Sequence, residues 1–185
     1  MERWFPIETE RLLLREFVRT DESDLHEFAA DPVVSRYDVW GPNTREVSHG
    51  VVQRRLLEQK SWPRDDVTLA AELRHESKLI GSVRLWKIDQ ENRTVEIGYS
   101  FNSRYWNMGY GTESASALLD AAFRVLEMHR VIATCDTRNV GSWRVMEKVG
   151  MRREGHFVKD KFQKGEWRDS FRYAILADEW RLRIR

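Results

Sequence analysis

Two glycines at the mouth of a helix give the first chemical signal. In Trp106-Asn107-Met108-Gly109-Tyr110-Gly111-Thr112-Glu113, Gly109 and Gly111 precede apolar or small residues at Ala115, Leu118, Leu119, Ala122 and Leu126, the spacing of one buried helical face. A helix start presents unpaired N–H groups and partial positive charge, which suit a phosphate, and glycines let the backbone approach it closely. A glycine-rich turn that merely opens a helix would satisfy the same pattern. Other phosphate loops fit worse. The G-x-x-x-x-G-K-[ST] pattern is absent, and Ser114 stands where a dinucleotide fingerprint wants its third glycine, although Asp136 lies where a ribose-binding acid would. The five histidines are scattered without H-x-x-x-H spacing, so no metal site is expected. Cys135 has no histidine close in sequence and reads as a small apolar strand residue rather than a nucleophile.

The elements that would position these residues follow from periodicity and punctuation. Arg11 to Phe17 reads as a first strand, and Thr20 to Asp24 signals the start of a helix that carries Leu25, Phe28 and Ala29 inward and stops before Pro32. Trp40 to Asn43 is a turn, and Thr44 caps a second helix reaching about Gln59. Val67 to Arg74 and Leu79 to Ile88 form a hairpin over a short polar turn. Val95 to Phe101 leads into the glycine loop and its helix, then come the strand Val131 to Thr137 and a short helix after Asn139. A last hairpin, Gly155 to Phe162 and Trp167 to Leu176, turns over Gln163 to Glu166. The order β, α, α, β-β-β, α, β, α, β-β predicts an α/β (α+β) domain, a mixed sheet with helices on both faces, spanning 1–185 without a linker.

Bulk composition narrows the function. The 185 residues suffice for one sizeable core. A net charge of +1 offers no basic stripe, and the eight tryptophans are dispersed, so no nucleic-acid partner is expected. No window approaches 18 consecutive apolar residues, and the charged N-terminus does not read as a signal peptide, so no membrane partner is expected. One cysteine fits a reducing, cytoplasmic setting.

The segment Trp106 to Glu113 resembles the acetyl-CoA pyrophosphate loop of the GNAT N-acetyltransferases, in the RimJ/RimL-like branch. Asn139-Val140-Gly141-Ser142 and Glu147-Lys148-Val149-Gly150-Met151 are similar to that branch's N-x-x-S and E-K-x-G-F signature. Thr9 to Arg15 resembles its opening strand, and Asp169 to Tyr173 with Glu179-Trp180 resembles its close. Two departures stand out: Met108 replaces a residue that is usually polar or basic, and Met151 replaces a phenylalanine.

The resemblance implies the acyl-CoA N-acyltransferase fold, acetyl-CoA as donor, no metal, and direct transfer to a primary amine. The amides of Met108, Gly109, Tyr110, Gly111, Thr112 and Glu113 would hold the pyrophosphate, with the Glu113 side chain pointing away. The donor's arm would lie in a gap between Val95 to Phe101 and Val131 to Thr137, its carbonyl polarised by N–H groups near Gly98 and Tyr99. Asn139 would bond the arm or cap the next helix; both can hold together. Ser142 would donate to the departing sulfur, or is only a first-turn serine. Glu96 would take the amine's proton through water, or is a salt-bridged strand glutamate. Arg36, Tyr37, Trp40 and Asn43 are candidate acceptor contacts, with packing as the alternative reading for each. The branch implies a protein α-amine, ribosomal proteins included, as acceptor. A small-molecule amine (amino sugar or polyamine) and a non-catalytic acyl-CoA-binding module are the alternatives. Relatives often pair as homodimers.

Overall fold

The structure, a computed structural model, describes residues 3–183 apart from the Lys87 side chain. Its centre is a sheet of eight strands in the order β1-β2-β3-β4-β5-β6-β8-β7. These are β1 (Ile7–Glu8), β2 (Leu12–Arg15), β3 (Asp66–Leu73), β4 (Lys78–Asp89), β5 (Thr94–Phe101), β6 (Arg130–Asp136), β7 (Arg152–Gln163) and β8 (Glu166–Leu176). Every neighbouring pair is antiparallel except β5 with β6. The helices are α1 (Glu22–Ala29), α2 (Arg45–Glu58), α3 (Tyr110–Asp120), α4 (Val140–Lys148) and α5 (Ala177–Arg183). The mixed sheet with helices on both faces is therefore as the sequence predicts.

Strand alternation sorts the side chains onto the two faces. Leu85, Val95, Ile97 and Val131 pack with Leu118 of α3, Met146 of α4 and Trp180 of α5 in the larger buried cluster. Phe28 of α1 and Val52 of α2 pack with Ala70 and Leu79 in a smaller cluster on the other face. Two helix starts carry a side-chain cap. The Thr44 hydroxyl accepts from Val47 N at the head of α2, and Asn139 Oδ1 accepts from Ser142 N at the head of α4.

Several boundaries differ from the sequence reading. The first strand ends at Arg15 rather than Phe17, and the short edge strand β1 precedes it. The pattern through Leu126 is helical, but α3 gives way after Asp120 to a π-helical turn, Ala121–Val125, where Leu126 N–H reaches back to Ala121 O at 3.0 Å. Apolar spacing alone does not register that change of period. The final hairpin is longer, starting at Arg152, and turns at Lys164 and Gly165, both with positive φ, 49° and 82°. Those angles match the two-residue turn that suits twisted strands. A short 3₁₀ turn, Val34–Tyr37, and the C-terminal helix α5 were not foreseen.

Candidate active site

β5 and β6 pair over Thr94↔Arg130, Val95↔Val131 and Glu96↔Ile132, and then part. Beyond that point β5 stays with β4, through Val83↔Tyr99 and Gly81↔Phe101. β6 stays with β8, through Cys135↔Phe171 and Asp136↔Ser170. Backbone groups facing the fork thus have no strand partner among the described residues, and unpaired main-chain groups demand one. An extended, amide-bearing chain lying beside β5 would supply it. Gly98 lies in the wall of this fork. A Cβ there would sit 2.9 Å from the Trp86 ring, so close packing accounts for the glycine.

At the open end of the fork, α3 begins at Gly109 with φ of +88°, and no side chain caps it. Glu113 N–H donates to Gly109 O at 3.0 Å, the first helical bond. The N–H groups of Tyr110, Gly111 and Thr112 precede that bond and remain for an anion. The amide of Glu113 is thereby spent and leaves the set of phosphate donors. Its carboxylate turns to the sheet edge, accepting from Thr9 Oγ1 at 2.5 Å, Arg11 N at 2.9 Å and Arg11 Nε at 2.7 Å. Burial opposes its charge, but the Thr9 and Arg11 bonds outweigh that and hold its pKa below the usual carboxylate range. A Cβ on Gly111 would meet Val145 Cγ2 at 3.3 Å, so this glycine lets α3 and α4 approach. Tyr110 is buried and Met108 exposed.

Tyr99 spans from β5 to α4. Its hydroxyl donates to Ser142 O at 2.8 Å, and Ser142 Oγ lies 3.5 Å from the phenol oxygen. Burial pushes the Tyr99 phenol far above its ordinary range, so it stays protonated. Burial also pushes the Cys135 thiol up to about 11, against a small opposing pull from Ser142. That thiol is un-ionised at neutral pH, a packing residue rather than a nucleophile. Asn139 caps α4 through Oδ1, at 3.2 Å from Ser142 N.

Glu96 and Gly98 face the opposite side of the sheet, with Trp86 and Arg84 beside them in register. Glu96 is buried at the last paired position of the fork. Asp66 first, and Glu96 among others, raise the Arg84 pKa. Over this face hangs the linker between α1 and α2. Arg168 Nη1 donates to Arg36 O at 2.9 Å, and Lys164 Nζ donates to Ser35 O at 2.7 Å. The Arg138 guanidinium lies 5.8 Å from the centre of the Tyr37 ring. Arg138 and Arg168 both reach Asp136 at the end of β6. Asp136 is therefore committed to arginines. Burial disfavours its charge, yet the Arg138 bonds hold its pKa low.

The sequence-derived acceptor residues divide. Arg36 is exposed and stacks 5.3 Å from the Tyr37 ring centre, and these two lie on the strapped wall. Trp40 packs against the smaller core cluster. Asn43 N–H donates to Ala29 O at 2.8 Å, tying down the turn. Asp38 went unnoticed in the sequence. It is half-buried, and among the described residues its carboxylate has no hydrogen bond or ion pair. Burial raises its pKa to about 6, with Lys164 pulling the other way. Arg11, Arg138 and Arg168 were missed too, because nothing local marks which of 31 basic residues turns inward.

A forked sheet, an uncapped glycine start facing the fork, and a phenol–serine pair beside it define a class of acyl-transfer fold. Residues 11–152 match the family model described as an acetyltransferase (GNAT) domain. The chain belongs to the GNAT acetyltransferase family and is an acetyl-CoA-dependent N-acetyltransferase. It is 40% identical over 175 residues to the uncharacterized N-acetyltransferase YnaD of Bacillus subtilis (strain 168), covering 94% of this chain and 98% of that one. A solved GNAT-family acetyltransferase from Bacillus anthracis superposes with a TM-score of 0.81 at 39% identity, covering 93% and 98%. The spermidine N(1)-acetyltransferase of Escherichia coli (strain K12) is 25% identical over 100 residues, 54% of each chain. No helix among the described residues is long and apolar enough to cross a membrane.

Proposed function

We propose that the acceptor is the α-amine of a protein and that the acetyl group passes to it directly. The parting of β5 and β6 after Glu96 and Ile132 carries this reading, because it opens one slot between two chemically different faces. On one side lie the α3 start and the Tyr99–Ser142 pair; on the other lie Glu96 and the strapped linker. Amides of residues 108 to 112 hold the donor's pyrophosphate, and Asn139 bonds its arm. N–H groups near Gly98 and Tyr99 polarise the thioester carbonyl. The amine nitrogen's lone pair forms the new C–N bond as the C–S bond breaks. Glu96 receives the amine's proton through water, while the Ser142 hydroxyl stabilises the leaving thiolate and Tyr99, whose own proton goes to the Ser142 carbonyl, holds that serine in place. An α-amine, with a pKa near 8, is partly neutral at physiological pH and makes a modest demand on that base.

The charges on the linker wall favour a peptide over a polyamine. Lys164, Arg168, Arg138 and the exposed Arg36 converge there, and among the described residues Asp38 is the carboxylate of that wall with no hydrogen bond or ion pair, drawn only weakly by Lys164. Asp136 and Glu166 pair both arginines, which leaves the wall only a slight positive surplus, enough to disfavour a polycation modestly, whereas a single ammonium finds Asp38. The polyamine reading rests on the spermidine-acetylating relative. Free-thiol release from acetyl-CoA, measured across N-terminal peptides, lysine peptides, spermidine and aminoglycosides, separates the two. Turnover confined to spermidine would refute a protein acceptor. Binding of acetyl-CoA without turnover on any amine would favour a non-catalytic module.

A further inference from the structure

We infer that Arg11 is the positioning residue of the phosphate loop: from the sheet edge it grips the Met108 carbonyl and so aims the Gly109 N–H outward at the donor's pyrophosphate. Arg11 Nη1 donates to Met108 O at 2.9 Å. In a planar trans peptide the C=O and the following N–H point in opposite directions. A carbonyl held toward Arg11 therefore turns the Gly109 N–H away from it. The residues flanking Met108 have positive φ, 63° at Asn107 and 88° at Gly109. Backbone that alternates hand in this way gathers successive N–H groups into an anion-binding concavity.

The guanidinium is itself fixed. Its Nε and Nη2 contact Glu113 Oε2 at 2.7 and 2.6 Å, and it lies 4.3 Å from the centre of the Tyr110 ring. Glu113 is held in turn by Thr9 Oγ1 and by the Arg11 main-chain N–H. One planar fork thus joins the loop before α3 to the first turn of α3, which sets the two relative to each other. An ammonium has one charge centre and cannot span both acceptors in a fixed plane. Arg11 also lies against the glycine backbone: a Cβ on Gly109 would stand 3.2 Å from Nη2. The apolar Met108 needs no charge of its own here, because the loop works through oriented amides.

The inference rests on the acetyl-CoA reading of the loop, and its test separates the two. Dissociation constants for CoA and for pantetheine, which lacks the pyrophosphate, are measured for the wild type, Arg11→Gln and Arg11→Lys, with thermal unfolding as a control. Arg11→Gln is expected to weaken CoA about tenfold, as for loss of one charge-assisted hydrogen bond, and to leave pantetheine unchanged. Arg11→Lys keeps the charge and the fold but is expected not to restore CoA affinity. Full restoration by lysine would overturn the orienting role in favour of simple charge. Equal weakening of CoA and pantetheine, or no change in either, would also overturn it. Failure of the wild type to bind CoA would instead sink the reading of the loop itself.

Discussion

Replacing Asp38 by asparagine should stabilise the protein at neutral pH, and the gain should disappear in acid. The carboxylate is half-buried, and its pKa rises from 3.8 to about 6 because burial disfavours the charge, with Lys164 only partly offsetting this. The sign follows from linkage. A folded-state pKa above the unfolded one means that the folded state binds more protons between about pH 4 and 6. The protonated group's contribution is fully present below the unfolded pKa and is lost as pH rises through the folded one. A shift of this size is an upper bound of about 3 kcal/mol, and discounting for partial exposure leaves about 1–2 kcal/mol at pH 7.5. Asparagine keeps the shape and removes the charge. Urea unfolding of both proteins at pH 4 and pH 7.5 is the assay. The variant should gain at pH 7.5 relative to its standing at pH 4. A variant equally or less stable at pH 7.5 would refute the reasoning and imply that the Asp38 charge is compensated.

Other perturbations test the fork directly. Tyr99→Phe removes the bond to Ser142 O (2.8 Å); it should cost about 1 kcal/mol of stability and lower kcat while leaving CoA affinity nearly intact, by thiol release and calorimetry. An unchanged kcat would remove the phenol from the chemistry. Gly98→Ala forces a methyl against the Trp86 ring, 2.9 Å away, so thermal unfolding should show a loss of about 1–3 kcal/mol from overpacking. Arg15→Ala strips the partner from the buried Asp21, bonded at 2.8 Å, and from Glu72 at 2.6 Å, and should cost about 3–5 kcal/mol in denaturant unfolding. A loss below about 1 kcal/mol would show that this triad is no better than a surface pair.

The parts of the site that the sequence made legible are those with local causes. Gly109 needs its left-handed backbone, and Asn139 caps its own helix three residues before Ser142 N–H returns the bond. The strands and helices followed from apolar spacing, which is why the sheet and both helical layers were anticipated. Contacts between distant segments were not legible. Arg11 to Met108 crosses 97 residues, and Arg168 to Arg36 crosses 132. No periodicity records such distances. The Glu113 amide was assigned to phosphate because a glycine loop does not show where the first helical bond closes. The π-turn after Asp120 escaped for a related reason: Ala121, Ala122 and Phe123 are all buried, and three consecutive apolar residues carry no mark of the helical period.

What keeps the fork open is a balance of attachments rather than a missing residue. β6 follows β8 to Asp136, and β5 follows β4 to Phe101, so each strand has a full partner on its outer side while the inner pairing stops at Glu96 and Ile132. Closing the fork would gain inner hydrogen bonds, each worth about 0.5–1.5 kcal/mol net, but would have to bend both outer ladders. Tyr99 adds a strut, since its phenol reaches across to the main chain of Ser142. Asn139 fixes the helix that receives that strut. The far end is held by Asp136, whose two arginines also strap the linker that covers the other face. The same residues therefore hold the slot apart and line it, so substitution of Asp136, which loosens both the end of β6 and the linker, should alter binding of the donor's arm and stability together.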